Sequence, residues 1–283
     1  MGGFLGDWGG LEELKCASGL EASPLEDSFY PRRVSLGGTR RAQLRPARPH
    51  RVWNVDVGTA TPAEMERLAQ LAERQRVNAT TFVYYPEDAL AENMLDPAAS
   101  FMDTARWSGL ATGGGPRTAN LDHPTGRFLH SAATAQDGTW AWLYRVPVPH
   151  RKTLTVSAIL TAYQDRTAQL VVNELDMTGA TIRQHVDGTG RVLQRLSHTI
   201  TPTPQTVAIT IAARYAATLA APQITLTDHV VDWSEGAGCM SAIVVAPPTK
   251  SVQLAVPGLA WGSRAAYSWR IEEIGHPSQG HLV

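Results

Sequence analysis

Between residues 127 and 246 the sequence falls into eight short runs rich in apolar and β-branched residues. They are 127–132, 139–147, 153–163, 168–176, 191–201, 205–213, 222–231 and 240–246, and turn-forming pairs such as Asp137–Gly138 and Asp187–Gly188 lie between them. No convincing helical period interrupts the series. A strand buries one face by simple alternation, whereas a helix needs a longer stretch to present an apolar stripe. Strands this short and this evenly spaced bury a core by packing as two sheets, which predicts a β-sandwich of the jelly-roll type.

Outside that block a different unit is expected. Val52, Asn54 and Asp56 alternate with Trp53, Val55 and Val57, the mark of a strand with one buried face. Thr61 can cap a helix, Pro62 suits its first position, and Glu64 completes a capping box. Met65, Leu68, Leu71 and Ala72 then share one face, with Glu66, Arg67, Glu73 and Arg74 opposite, so a helix is predicted over about 62–76. "TTFVYY" follows as a strand halted by Pro86, and "SVQLAVPG" and "AAYSWRIEEIG" supply a last alternating pair. The fold class is therefore mainly β: a small β-rich domain with one α-helix, plus an inserted β-sandwich. An extended N-terminal arm over 1–30 and a disordered tail over 276–283 are expected to flank these units.

A chain of 283 residues is long for one domain, which agrees with that division. Its formal net charge of −1 gives no field to attract nucleic acid or an anionic membrane. No apolar run approaches the roughly 20 residues of a membrane helix, and the first residues have neither the basic nor the apolar region of a secretory signal. Cys16 and Cys239 are too few and too far apart for a disulfide framework, and whether they bond stays open.

Three groups of residues invite a chemical reading. In "TFVYYPEDALAENML", residues 81–95, aromatic residues precede Glu87, Asp88 and Glu92. Glycoside hydrolysis needs two carboxylates facing each other across a sugar, usually from different elements. Adjacent Glu87 and Asp88 do not supply that, and acidic residues at a helix start are favoured by the dipole alone. A solvated turn is the expected role. Asp228 and Asp232 flank His229 near a strand end, where a structural calcium competes with ordinary surface residues. Trp140, Trp142 and Tyr144 alternate in "TWAWLYRV" and so share one face of a strand. With Tyr163 and Trp107 they are candidates for stacking on a glycan, and sandwich core is the competing reading. The nine histidines and two cysteines form no metal motif, and no nucleophile elbow, Walker loop or dinucleotide fingerprint is present. No catalytic residue, resident metal or cofactor is expected; a glycoside hydrolase would need carboxylates converging from separate strands.

The order of elements carries a resemblance. "RVWNVDVGTATPAEMERLAQL", "TTFVYYPEDALAENMLDP", a β-sandwich, "DWSEGAGCMSAIVV" and "SVQLAVPGLAWGSRAAYSWRIEEIG" follow one another over roughly residues 30–275. This order resembles minor tail proteins of long-tailed phages of actinobacteria and related hosts, of the distal-tail (baseplate) kind. In that pattern an aromatic–Tyr–Pro–acidic corner and N-x-L-x-P lead out to a carbohydrate-binding-module-like jelly roll, and W-x-x-G-x-G returns to a terminal strand ending in E-x-G. Here these are Tyr84, Tyr85 and Pro86, Asn93 to Pro97, Trp233 to Gly238 with Gly236 between, and Glu273 to Gly275. The resemblance implies a small ring domain from 31–98 with 246–275, an inserted jelly roll over 99–245, and a non-enzymatic virion protein assembled in the host cytoplasm. Its copies would form a ring, six-fold in the family, around the tail tube and against other tail-tip proteins. The jelly roll would face outward, toward host cell-wall glycan or tail proteins. A stand-alone carbohydrate-binding or adhesion module is the alternative.

Overall fold

The structure, a computed structural model, describes residues 3–7, 10–14, 52–60, 66, 67, 69–71, 73, 82–102, 106–109, 117–119, 128–130, 139–143, 145–162, 167–188, 194–244, 249–252 and 265–273. The described chain is mainly β. In chain order its strands are β1 (Phe4–Asp7), β2 (Gly10–Glu13), β3 (Val52–Ala60), β4 (Phe82–Tyr85), β5 (Trp107–Gly109), β6 (Arg117–Ala119), β7 (Phe128–His130), β8 (Thr139–Leu143) and β9 (Val146–Pro147). There follow β10 (Leu154–Ala162), β11 (Gln169–Leu175), β12 (Thr181–Gly188), β13 (Gln194–Ile200), β14 (Ala208–Arg214), β15 (Ala216–Thr225), β16 (Cys239–Val244), β17 (Thr249–Val252) and β18 (Ala265–Glu273). Two compact units result, one of residues 1–14 and 81–240, the other of 15–80 and 241–283.

In the second unit β18 is the central strand. It pairs with β3 so that Tyr267 faces Val57, Trp269 faces Val55 and Ile271 faces Trp53. β17 and the end of β16 pair with successive parts of β18. The described residues of the predicted helix, 66, 67, 69–71 and 73, are helical. Leu71 is buried while Glu66, Arg67, Gln70 and Glu73 are exposed, the amphipathic arrangement expected of them.

The first unit holds the sandwich. One sheet runs β12-β11-β14-β8-β5, with β9 also on β14; the other runs β13-β10-β15-β7-β6. Alternation sends Leu154, Val156, Ala158 and Leu160 of β10 into one core with Leu170 and Val172 of β11 and Ile209, Ile211 and Ala213 of β14. Each fully buried Val, Leu or Ile contributes about 1.5–3 kcal/mol, so this two-sided core dominates the unit's stability. The opposite face of β10 is polar and also buried: Thr155 and Ser157 are each 2% exposed. Thr155 Oγ1 lies 3.0 Å from Thr199 Oγ1 and donates to the Thr227 carbonyl at 2.8 Å.

Three expectations change. Over its described residues the N-terminal segment is not an extended arm. β1 and β2 form an antiparallel hairpin, and β1 adds to β4 with Leu5 opposite Tyr84. Phe4, Leu5, Leu11 and Leu14 are buried, apolar anchors that the surrounding glycines concealed from a reading by periodicity. The boundaries move too: the chain enters the first unit at 81 and leaves it after 240, not at 99 and 245. Finally, Thr181–Gly188 is a strand where no run was expected, and Asp187–Gly188 forms its end. β12 is polar because it is a solvent-exposed edge, and no apolar alternation marks it. The expected tail 276–283 lies outside the described residues.

If the hairpin is an integral part of the first unit, a chain lacking residues 1–14 should melt several degrees lower. Leu5→Ala should cost about 2–5 kcal/mol in chemical denaturation. An unchanged melting curve for the truncated chain would restore the arm.

Candidate functional site

The sequence motifs at the two ends of the sandwich meet at one place. β4 ends at Pro86, whose extended backbone starts the short helix Glu87–Ala91. Glu87, Asp88 and Glu92 are exposed, while Ala89 and Leu90 face inward. One carboxylate oxygen of Asp88 accepts from the Ala89 N–H at 3.0 Å, as an acidic residue in a first helical turn does. Beyond the helix the chain runs beside β15: the Leu226 N–H donates to the Leu90 carbonyl at 2.7 Å, and the Met94 N–H to the Ile224 carbonyl at 2.8 Å.

Asn93, 0% exposed, is the hub of this contact. Its Nδ2 donates to the Ser234 carbonyl at 2.9 Å and to the Pro222 carbonyl at 3.3 Å. Its Oδ1 accepts from the Leu95 N–H at 3.1 Å and the Ile224 N–H at 3.3 Å. The main chain adds Ala237 N–H to the Asn93 carbonyl and Gly238 N–H to the Leu95 carbonyl, both at 3.0 Å. Gly236 donates its N–H to Ser100 Oγ at 2.9 Å. A Cβ on Gly236 would meet the Leu95 and Asp96 carbonyl oxygens, and one on Gly238 the Met94 carbonyl. Close backbone approach, not turn geometry, requires glycine at both positions.

Neighbouring residues complete the junction. Asp96 caps the helical turn Pro97–Ser100 through the Ala99 N–H at 2.7 Å, with Pro97 at the first helical position, and pairs with Arg106 at 2.9 Å. Trp233 meets Phe101 edge-to-face at a ring separation of 5.8 Å. The Tyr85 hydroxyl donates to the Pro147 carbonyl at 2.9 Å. Burial, reinforced by the Asp96 charge and Cys239, pushes its phenol well above the usual range. A second amide works beside Asn93: Gln223 Nε2 donates to the Glu92 carbonyl at 2.6 Å and the Asp232 carbonyl at 3.0 Å. Arg195 holds Gln223 Oε1 and donates to Ser157 Oγ at 2.9 Å. Asn93 and Gly236 thus lie in one fastening, with Pro97 in the turn whose Ser100 receives the Gly236 N–H and Trp233 packed on Phe101 beside it; Pro86 starts the helix that leads to it. Gln223 and Arg195 were not visible in the sequence, because nothing local distinguishes them from surface residues of a strand.

The glycan candidates are not all described. Trp107 is 2% exposed and its indole N–H donates to the Ala99 carbonyl at 3.0 Å, so it fills the core. Trp140 and Trp142 lie on β8, with Trp142 in register opposite Ala212 of β14. Their side chains, and the whole of Tyr144 and Tyr163, lie outside the described residues. Across the same sheet a polar row is described: Gln184 Nε2 donates to Asn173 Oδ1 at 2.8 Å, and Asn173 Nδ2 to Thr210 Oγ1 at 3.1 Å.

Of the calcium candidates, Asp228 is strongly exposed and pairs with the His229 ring at 2.8 Å; Asp232 is exposed as well. Among the described residues no group of three or more His, Cys, Asp or Glu side chains is placed to hold a metal ion. Glu174, whose side chain is fully buried, has a structural role. It takes the Thr203 N–H at 2.9 Å, the Thr206 hydroxyl at 2.6 Å and His185 Nε2 at 2.7 Å. Burial pushes its pKa up, but these donors outweigh burial and hold it below the ordinary carboxylate value.

No family model matches the chain, and no curated protein matches it. Among solved structures it is similar to the enzymatically active domain of bacteriophage CBA120 tailspike protein 4, at 11% identity and a TM-score of 0.38 over 47% of this chain and 21% of that one. It is similar to an arabinose-bound α-L-arabinofuranosidase, MgGH51, at 12% identity and 0.37 over 48% of this chain and 26% of that one. It is also similar to the CBM22-1 xylan-binding domain of Paenibacillus barcinonensis Xyn10C, at 16% identity and 0.34 over 46% of this chain and 93% of that domain. The chain thus spans about a quarter or less of the first two. The sandwich rests on its own strand registers.

Asn93→Ala should destabilise the first unit by roughly 2–4 kcal/mol, because it strands backbone groups already removed from water. Asn93→Asp should be comparably harmful despite its shape, since it sets a carboxylate oxygen against two carbonyls. Denaturant titration of both variants checks this. Because the folded-state pKa of Glu174 is depressed, its contribution is present above the unfolded value of about 4.3 and is lost as pH falls through the folded one. Denaturation midpoints measured from pH 7 down to 3 should therefore drop less steeply in Glu174→Gln than in the unchanged protein.

Proposed function

We propose that the chain is a structural, non-catalytic protein of a phage tail tip, whose copies form a ring around the tail tube and whose sandwich faces outward. One observation supports this reading above the others. Short motifs that carry the resemblance, Asn93 to Pro97 and Trp233 to Gly238, hydrogen-bond within a single fastening where the chain enters and leaves the sandwich, and Gly238 lies close against the Tyr85 ring. Motifs that were unrelated coincidences would have no reason to meet. The same fastening accounts for the acidic corner without chemistry, since Glu87, Asp88 and Glu92 are solvated residues of a connecting helix and its end. On this reading the protein belongs to the virion and its partners are further copies of itself and other tail-tip proteins.

A second reading, contact with host-surface glycan, is favoured by the row Gln184–Asn173–Thr210. Mutually bonded amides and a hydroxyl on one sheet surface, without formal charge, suit a neutral polyhydroxylated ligand. Trp142 lies in the adjoining ladder row through Ala212 and Val171.

Negative-stain imaging of the purified chain tests the first reading. Rings with a central hole, six copies in the favoured case, are expected, and monomers alone at the highest soluble concentration would overturn it. Retention on host cell-wall glycan tests the second. It should fall at least about tenfold in Asn173→Ala and Trp142→Ala variants that keep the normal melting curve, a loss of about 1.4 kcal/mol. Monomers that bind glycan would favour a stand-alone binding module.

A further inference from the structure

β12 ends the sheet order β12-β11-β14-β8-β5, so among the described residues no strand of that sheet pairs with the other edge of this eight-residue strand, and the His198 ring of β13, in the facing sheet, lies 6.1 Å from His185. Every residue of it except His185 is exposed. An open edge offers unpaired N–H and C=O groups to any extended backbone, and charge on the strand is the usual way to discourage that. Here the charges are arranged differently. Arg183 and Asp187 stand two residues on either side of His185 and share its face. If two copies of β12 pair antiparallel about His185, Arg183 of each lies opposite Asp187 of the other. His185 then falls on the axis, its ring turned back to Glu174 at 2.7 Å.

The other face of the strand adds an independent observation. Of the four large hydrophobic residues exposed among the described residues, Ile182 at 40% and Val186 at 43% lie on β12, and Met177 at 72% in the turn before it. In the same register Val186 faces Gln184 of the other copy directly. It then sits diagonal to that copy's Val186 and Ile182, within reach for side-chain contact. One register therefore gives opposite charges on one face and apolar contact on the other, along an edge that pairs with no described strand. A two-fold axis makes such a contact self-complementary and closed, so it stops at two copies.

We propose that β12 is a homotypic docking edge, through which the sandwiches of two copies join into one continuous sheet in the register that places Arg183 opposite Asp187. This contact is separate from any ring and adds a pairing between sandwiches to it.

Charge reversal tests the register. Arg183→Asp and Asp187→Arg each set like charges opposite one another at both ends of the pair, whereas an equimolar mixture of the two variants restores opposite charges at both. Tagged and untagged full-length chains, each assembled separately before mixing, are combined and co-purification is measured, so that pairing between assemblies and not ring contacts is read, with melting curves run alongside. Association should weaken about tenfold in each single variant, since two favourable cross-strand pairs are lost and two unfavourable ones gained, each worth some tenths of a kcal/mol. It should recover in the mixture. Single variants that associate like the unchanged chain, a mixture no better than either variant, or an unchanged chain that never co-purifies would each overturn the proposal. Rings that form in both single variants would leave the tail-tip reading standing while this contact fails.

Discussion

The buried amide of Asn93 is the hub that joins the segment entering the sandwich to the segment that leaves it. Few side chains could do this. The position needs donors toward two carbonyls and an acceptor toward two N–H groups, and among the short side chains an amide supplies both. A carboxylate lacks the donors and a hydroxyl lacks the reach. Around this hub the backbone approaches so closely that Gly236 and Gly238 admit no Cβ. Gln223, supported by Arg195 and Ser157, repeats the device beside it, linking the Glu92 and Asp232 carbonyls.

That fastening makes the two surfaces of the sandwich unequal. The outer side of β10 is closed: Thr155, Ser157 and Gln223 are almost fully buried, Thr155 bonds Thr199 and the Thr227 carbonyl, Ser157 and Gln223 accept from Arg195, and Gln223 donates to the Asp232 carbonyl. What remains open in the described residues is the far side, where β11 and β12 carry the Gln184–Asn173 row and the exposed edge. Both surfaces proposed for contact lie there.

Much of this was legible in the sequence, for definable reasons. Alternating apolar residues identified β10, β11 and β14, because a two-sided core demands that pattern of every strand that lines it. Asn93, Pro97, Trp233 and Gly236 were singled out through the resemblance alone, since no local periodicity marks a residue whose role is to bond distant backbone. The hairpin of residues 4–13 was not legible: its apolar anchors are separated by glycines and lack a period. β12 was missed because an edge exposed along nearly its whole length needs no apolar alternation. Nor could the start of β15 be read. In "AATLAAP", residues 216–222, the alanines carry little strand preference, and the burial of Ala216, Ala220 and Ala221 beside β10 decides. Trp107 shows the converse limit, since alternation cannot tell an aromatic residue in a core from one on a surface.

The Asn93 junction and the sandwich core should behave as one cooperative body, and native-state hydrogen exchange reads that directly. The amides of Leu95, Ile224, Ala237 and Gly238 should exchange as slowly as those of Val156, Val172 and Ile211, through the same global opening. Junction amides that exchange quickly while the core remains protected would show the fastening to be a separate, loosely held contact, and would contradict this view of the fold.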